Sequence, residues 1–269
     1  LPETEAPGAS ADYELLKYGV LEAGHIARHY FEKGFEHWDK AKDDPVTEAD
    51  LAVDRVLKEI LLSDRPTYGW LSEETDDDLR RLSCRRVWIV DPIDGTRAFV
   101  ERRPQFTICA ALVDNGEPEC AFVYNPVTEQ LFEARRGRGA RLNGDPIAPS
   151  ARSELEGASV LATKGMFKHP DWQHDWPDLK ISMRNSVALR LALVACGEFD
   201  MCLSLTKKSD WDLAAADLIV REAGARLSDH TGLPFRYNRK SVRQRSLIAT
   251  CPGLYEEILK RTRHLTLPD

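Results

Sequence analysis

Long apolar runs are missing from this 269-residue sequence. None approaches the roughly 18 consecutive apolar residues of a membrane-spanning helix, so no membrane partner is expected. The first ten residues, Leu1 to Ser10, carry Pro2, Pro7 and Gly8, lack the apolar stretch of a secretory leader, and are expected to form a flexible tail. A basic block is missing too. With 37 Lys and Arg against 44 Asp and Glu, the formal net charge is −7, which argues against a surface that tracks a nucleic acid polymer. No Cys-x-x-Cys pair occurs. The six cysteines (Cys84, Cys109, Cys120, Cys196, Cys202 and Cys251) are scattered, several inside apolar runs where a free cysteine acts as a small buried hydrophobe, and a reducing cytoplasm suits this usage. The seven histidines show no ligand spacing. Gly-x-x-x-x-Gly-Lys-Ser/Thr, His-Glu-x-x-His and Gly-x-Ser-x-Gly are all absent, so a zinc enzyme is not expected.

What is present is an ordinary globular composition, 42% hydrophobic and 30% charged, long enough for one large domain or two smaller ones sharing a cleft. Apolar residues from Ala11 to Phe31 recur at helical spacing up to Gly34, and a second helix runs from about Thr47 to the Arg65-Pro66 turn. Val87 to Val90 is a short β-prone run ending at Asp91-Pro92 and reads as a buried strand. Phe106 to Val113 and Cys120 to Tyr124 flank Asp114-Asn115-Gly116, a hairpin signal; Gln130 to Ala134 reads as a third strand, and Leu142 to Asp145 as a turn. Beyond Ala158, strands (Val160–Thr163, Met201–Leu205, Leu247–Thr250) alternate with helices (Ser186–Cys196, Leu213–Ala223, Gly253–Arg261). The pattern describes an N-terminal α+β half, residues 11–152, and a C-terminal α/β half, residues 153–269, forming one compact unit with a shared cleft.

Four segments carry acids suited to chemistry. Asp91-Pro92-Ile93-Asp94-Gly95-Thr96 follows the buried strand, and two carboxylates on one tight turn can share hard divalent cations. Amide groups at Gly95 and Thr96 suit phosphate oxygens. A plain strand exit also uses Asp, Pro and Gly, but the full hexapeptide behind an apolar strand favours function. Pro45-Val46-Thr47-Glu48-Ala49-Asp50, considered alone, is a capping box. Glu73-Glu74 opens an acidic run that is ordinarily a solvated loop, yet it directly follows Trp70-Leu71. Ser209-Asp210-Trp211-Asp212 reads first as a helix cap with acids in the first turn. Each segment alone has an ordinary explanation; together they place acids at four element termini.

In this set, in its order and in its spacing from about Lys40 to Gly232, the chain resembles the inositol monophosphatase family. The resemblance implies a layered α-β-α-β-α sandwich of the inositol monophosphatase/fructose-1,6-bisphosphatase type, commonly a homodimer. It implies a Mg²⁺-dependent phosphomonoesterase using two to three ions and inhibited by Li⁺. Glu73, Asp91 and the Ile93 carbonyl would hold one ion, and Asp91, Asp94 and Asp212 a second. Attack in line by a metal-bound water would be oriented by Thr96 with Asp50 behind it, Glu73 also serving catalysis. Gly95, Thr96, Asp94, Ser186, Lys207 and Asp212 would face the substrate, a small-molecule phosphate ester. Lys40 or Lys42 would be the basic residue ahead of the Val46-Thr47 segment.

Many inositol phosphatases place a glutamate a few residues before Trp-Asp; here that position is Leu205, followed by Lys207 and Lys208. Two lysines suit a second phosphate, so the resemblance leans towards a 3′(2′),5′-bisphosphate nucleotide of the 3′-phosphoadenosine 5′-phosphate type. Inositol 1-phosphate, histidinol phosphate and sugar phosphates are the alternatives. An aspartyl-phosphate route needs two aspartates two residues apart, whereas Asp91 and Asp94 are three apart with Pro92 between them. A reading of another class is a non-catalytic regulatory binding partner.

Overall fold

The computed structural model describes residues 9–41, 44–168 and 170–267. Lys42, the alternative to Lys40, lies outside the described residues, as do residues 1–8 of the expected tail. Helix α1 (Ala9–Lys33) starts two residues before the apolar periodicity, so Ala9 and Ser10 belong to it rather than to a tail. Strands β1 (His37–Ala41) and β2 (Asp44–Thr47) form an antiparallel hairpin that sequence periodicity does not reveal, since β1 is exposed throughout. Helix α2 (Glu48–Asp64) follows, opened by a capping box in which Thr47 and Asp50 exchange hydrogen bonds.

The central sheet has seven strands: β3 (Gly69–Ser72), β4 (Arg86–Asp94), β5 (Thr107–Asp114), β6 (Glu117–Asn125), β7 (Gln130–Arg135), β8 (Ala140–Leu142) and β9 (Asp145–Pro146), in that spatial order. Only β3 and β4 are parallel neighbours; the rest meander antiparallel. The two Asn-Gly hairpin turns form as their chemistry dictates, with Asn115 and Asn143 at φ 51° ahead of glycines at positive φ. Between β4 and β5 lies the short helix α3 (Thr96–Val100).

The second sheet has five strands: β10 (Ser159–Leu161), β11 (Lys180–Ser182), β12 (Met201–Ser204), β14 (Arg226–Ser228) and β16 (Leu247–Thr250), in the order β11-β10-β12-β16-β14. A two-residue ladder pairs β13 (Lys208–Ser209) with β15 (Arg243–Gln244). Helices α4 (Val187–Ala195), α5 (Asp210–Glu222) and α6 (Tyr255–Thr262) complete the fold.

Three apolar clusters explain the layering. The α1 and α2 faces bury Leu16, Val20, Val53 and Leu57 against Trp88, Val90, Ile108, Leu112 and Phe122 of the central sheet. The closeness of that contact shows at Gly24 of α1, where any Cβ would lie 2.3 Å from the Tyr124 ring. The opposite face, through Val87, Ile89, Ala111 and Val123, meets α4 and α5. The far face of the five-stranded sheet, through Val160, Met201, Leu203 and Ile248, is closed by Leu254 and Ile258 at α6. The result is an α-β-α-β-α sandwich. Strand β4 is buried on both faces, which is why its sequence is continuously apolar rather than alternating. Among the described residues, no helix is long and apolar enough to cross a membrane. All six cysteines are free.

Candidate active site

Period-two geometry decides where Asp91 goes. In β4, Val87 and Ile89 face α4 and α5 while Trp88 and Val90 face α1 and α2, so Asp91 continues the row towards α5. Parallel pairing of Ser72 with Val90 ends β3 and β4 side by side, and the next residue of β3, Glu73, therefore emerges next to Asp91. From the other layer, α5 presents its first turn. It begins at Asp210, three residues before the periodicity indicates, because Asp212 Oδ2 accepts the Ser209 backbone N–H at 2.8 Å. One carboxylate oxygen from each of Glu73, Asp91 and Asp212 lies within 4.8 Å of the others.

Asp94 is held differently. The β4–β5 register shifts between Asp91 and Asp94, turning the Asp94 side chain towards α4. Its Oδ2 accepts from Ser186 Oγ at 2.6 Å and from the Ala188 N–H at 2.6 Å, and its Oδ1 from the Val187 N–H at 3.1 Å. Asp94 thus sits on the positive end of α4. Ser186, expected to face substrate, is instead fully buried. It caps α4, accepting from the Leu189 N–H, and lies 3.0 Å from Thr107 Oγ1. Its place in the site is to orient Asp94. Gly95 has φ 102°, and a Cβ there would lie 2.8 Å from the Gln105 carbonyl, so only glycine permits this close crossing.

Thr96 Oγ1 lies 3.1 Å from Asp50 Oδ1 and 3.0 Å from the Ile93 carbonyl oxygen. The other Asp50 oxygen accepts from both the backbone and the hydroxyl of Thr47, at 2.8 and 2.6 Å. The capping box and the site role of Asp50 are therefore one arrangement: the cap fixes Oδ2 and leaves Oδ1 for Thr96. Lys40 Nζ, on the β1–β2 hairpin, donates to Glu74 Oε1 at 2.5 Å and lies 3.9 Å from Glu73 Oε1. Asp54, one turn beyond Asp50, accepts from Ser72 Oγ and Thr75 Oγ1, bracing the turn that carries Glu73 and Glu74. Asp54 escaped the sequence reading; its i,i+4 spacing from Asp50 was the available signal.

The electrostatics demand cations. Burial raises the Asp50 carboxyl to about 6, the hydrogen bonds from Thr47 and Thr96 opposing the shift. Burial, then the neighbouring Asp94 charge, raises Asp212 to about 6. Asp91 is driven well above the usual carboxylate range by burial and by Glu73, Asp94 and Asp212, and Glu73 rises for the same reasons, opposed by Lys40. Asp91 Oδ1 is buried with no hydrogen-bond partner. An orphaned carboxylate oxygen amid like charges is costly unless a cation meets it. Three converging carboxylates are hard oxygen donors of the kind Mg²⁺ takes, so the residues present fit that ion. Glu73, Asp91 and Asp212 would hold it. Asp94, with both oxygens engaged by α4, stands at the edge of the cluster, as does the Ile93 carbonyl, whose oxygen lies 3.0 Å from Thr96 Oγ1.

Of the two lysines, Lys207 is exposed, and it is Lys208 that turns inward, half-buried beside Arg190. The expectation that Lys207 faces substrate is corrected by β13: pairing of Lys208 with Gln244 sets which lysine points in. Arg190 was also missed, although an arginine amid the apolar helix VALRLALVA is visible in sequence.

The sequence model of the inositol monophosphatase family matches residues 10–266. Inositol-1-monophosphatase of Rhizobium meliloti is 36% identical over 234 residues, covering 83% of this chain and 87% of the relative. Nus factor SuhB of Escherichia coli is 34% identical over 227 residues, covering 78% and 82% respectively. Among solved structures, extragenic suppressor protein suhB from Bartonella henselae superposes with a TM-score of 0.81 at 25% identity, covering 94% of this chain and 98% of that one. An IMPase from Thermotoga maritima gives 0.79 at 27% identity, covering 94% and 96%. The chain belongs to the inositol monophosphatase family.

Proposed function

We propose that this chain is a Mg²⁺-dependent phosphomonoesterase acting on a small-molecule phosphate ester. The observation that carries the reading is the convergence of Glu73, Asp91 and Asp212 within 4.8 Å around a buried, partnerless Asp91 oxygen. Family membership supports it.

When bound, Mg²⁺ neutralises charge on the phosphoryl oxygens and supports the leaving oxygen. The chain's own residues supply the rest. Asp91, Glu73 and Asp212 present fixed negative charge and cost little reorganisation at the moment of reaction. Asp94 is locked by Ser186 and the α4 N-terminus, so the Gly95-Thr96 turn that follows has one position. Thr96 Oγ1 orients an attacking water by accepting its proton in a hydrogen bond while donating to Asp50 Oδ1, and Asp50, raised to about 6, is poised to hold a proton near neutrality. Lys40 balances Glu73 and Glu74 at the rim.

Within this class, a 3′(2′),5′-bisphosphorylated nucleotide is the leading substrate and inositol 1-phosphate the alternative. Leu205 in place of an acid, with Lys208 turned inward beside it, supports the former. The test is phosphate release with Mg²⁺ from inositol 1-phosphate, 3′-phosphoadenosine 5′-phosphate, histidinol phosphate and fructose 1,6-bisphosphate, with Asp91→Asn as control. Activity that survives Asp91→Asn refutes the site. The E. coli relative carries the name Nus factor, so a binding role is the second reading. It gains if no substrate in the panel is turned over while Asp91→Asn leaves a cellular phenotype intact.

A further inference from the structure

Glu73 follows β3, and Asp212 rides on the first turn of α5, in another layer. A third segment, residues 236–244, touches the supports of both. At the α5 end it grips Asp210, the first residue of the helix. Asp210 and Asp212 are two positions apart, about 200° around a helix, so they point to opposite sides. Asp212 joins the acidic cluster, whereas Asp210 is fully buried against the segment. Its Oδ1 accepts from Gln244 Nε2 at 2.8 Å and its Oδ2 from the Asn238 N–H at 3.2 Å, while its own N–H donates to the Val242 carbonyl at 2.8 Å. The ladder of β13 with β15 adds Ser209, whose Oγ accepts from Arg243 Nη1 at 2.9 Å. Ser209 is the residue whose N–H binds Asp212 Oδ2.

At its other end the segment is tied to β3 through Arg81, in the single turn Arg80–Ser83. Arg81 is only 2% exposed. Its Nε and Nη2 hold the two Asp77 oxygens at 3.0 and 2.6 Å, and its Nη1 donates to Asn238 Oδ1 at 2.9 Å and to the Arg239 carbonyl at 3.0 Å. Asn238 donates in return, from Nδ2 to the Arg81 carbonyl at 3.1 Å. Asn238 stands at φ 57°, a left-handed conformation that asparagine accepts more readily than most residues. The body of Arg81 presses on the start of β3: a Cβ at Gly69 would lie 2.9 Å from Arg81 Cβ and 3.0 Å from its Cα. A buried ion pair of this kind adds little net stability over apolar packing of the same volume. What a planar guanidinium held along two edges does provide is a fixed direction.

We infer that Arg81 and Asn238 are positioning residues, which brace β3 against the first turn of α5 and so hold Glu73 and Asp212 at the separation that one small dication requires. This rests on the Mg²⁺-dependent phosphatase reading above. Mg²⁺ takes near-octahedral oxygens at about 2.1 Å and tolerates ligand displacements of no more than about 0.5 Å, whereas Ca²⁺ accepts longer and less regular bonds. The Ser209 cap fixes Asp212 only relative to its own helix; the brace fixes that helix relative to Glu73. Breaking the brace leaves all three carboxylates in the chain and relaxes their spacing. The smaller ion is the one that loses.

The experiment is calorimetric titration of the full chain with Mg²⁺ and, separately, with Ca²⁺, at a temperature where melting curves show each protein fully folded. Asn238→Gly deletes the side-chain amide without changing charge, and glycine suits φ 57°. Arg81→Lys breaks the brace from its other end, keeping the charge but not the fork that reaches Asp77 and Asn238 together. Both variants are expected to bind Mg²⁺ about tenfold more weakly, the scale on which groups that orient metal ligands act, with Ca²⁺ affinity changed by less than about twofold. Mg²⁺ affinity within about threefold of wild type in either folded variant overturns the brace and leaves the phosphatase standing. So does an equal loss for the two ions, because a site that is merely loosened or destabilised does not discriminate by ionic radius. If one variant does not fold, the other decides by the same criteria. Wild-type protein that binds no Mg²⁺ defeats the phosphatase reading and the brace together.

Discussion

Replacing Asp212 with asparagine should make the metal-free protein more stable and the metal response weaker. The reasoning is a linkage argument. Asp212 has its carboxyl raised to about 6 by burial and by Asp94, against an ordinary value of 3.8. An acid whose folded value is raised favours folding most when protonated. Its contribution is fully present below the unfolded value and is lost as pH rises through the folded one. Over that window the loss is about 2.2 × 1.36, or about 3 kcal/mol, at neutral pH and above. Asparagine never ionises, yet its side-chain oxygen can still accept the Ser209 N–H that Asp212 Oδ2 accepts at 2.8 Å, so the helix cap survives. With chelator at about pH 8, Asp212→Asn should therefore melt about 5–10 °C above wild type, and the difference should shrink towards about pH 4. Saturating Mg²⁺ should close most of that gap. At a hundredfold excess over Kd the ion adds about 2.7 kcal/mol to the wild type, and the variant, lacking one of three converging oxygens, should gain much less. Calorimetric melts at the two pH values, with chelator and with Mg²⁺, measure all of this. A chelated variant that melts below wild type at the higher pH, or one that keeps the full Mg²⁺ gain, would refute the claim that the cluster is strained for want of a cation.

Ser186→Ala removes the α4 cap and a hydrogen bond to Asp94 together, and should cost about 1–3 kcal/mol in denaturant unfolding while raising the Mg²⁺ concentration needed for half-maximal activity. Gly95→Ala must place a Cβ 2.8 Å from the Gln105 carbonyl at φ 102°, so a loss of about 2–3 kcal/mol or more is expected, read as a shift in the urea midpoint. Thr96→Val keeps the shape of the side chain and deletes the hydroxyl between Asp50 and Ile93; kcat should fall at least about a hundredfold with the melting temperature little changed. Tyr237→Phe, outside the Glu73–Asp91–Asp212 cluster, strips a buried 2.9 Å hydrogen bond from Asp217 and should cost about 1–2 kcal/mol without altering Mg²⁺ affinity.

Local chemistry was legible. The Thr47–Asp50 box, the Asn115-Gly116 and Asn143-Gly144 turns and the apolar run before Asp91 each carry their signal within a few residues, and each formed where it was read. Strands β1, β2, β3, β8, β9, β11, β13, β14 and β15 were not legible, because short or exposed strands leave no periodicity and are fixed by their partners. The apolar periodicity of α5 begins only at Leu213, but the capping signal at Ser209-Asp210 with Asp212 in the first turn marks the onset that the helix takes.

The sequence by itself determined which residue types stand at the ends of strands and helices, since capping, turn formation and alternation are short-range preferences of the backbone. It also contained the full set of acids. Only the tertiary structure decided which of them meet. Parallel pairing of β3 with β4 set Glu73 beside Asp91, and packing of α5 on the central sheet delivered Asp212. The α4 N-terminus claimed Asp94, with Ser186 as its clamp. The same layer packing turned Lys208 inward, left Lys207 outside and buried Arg190. Such outcomes depend on register and on contacts between segments well separated along the chain, which no local preference encodes.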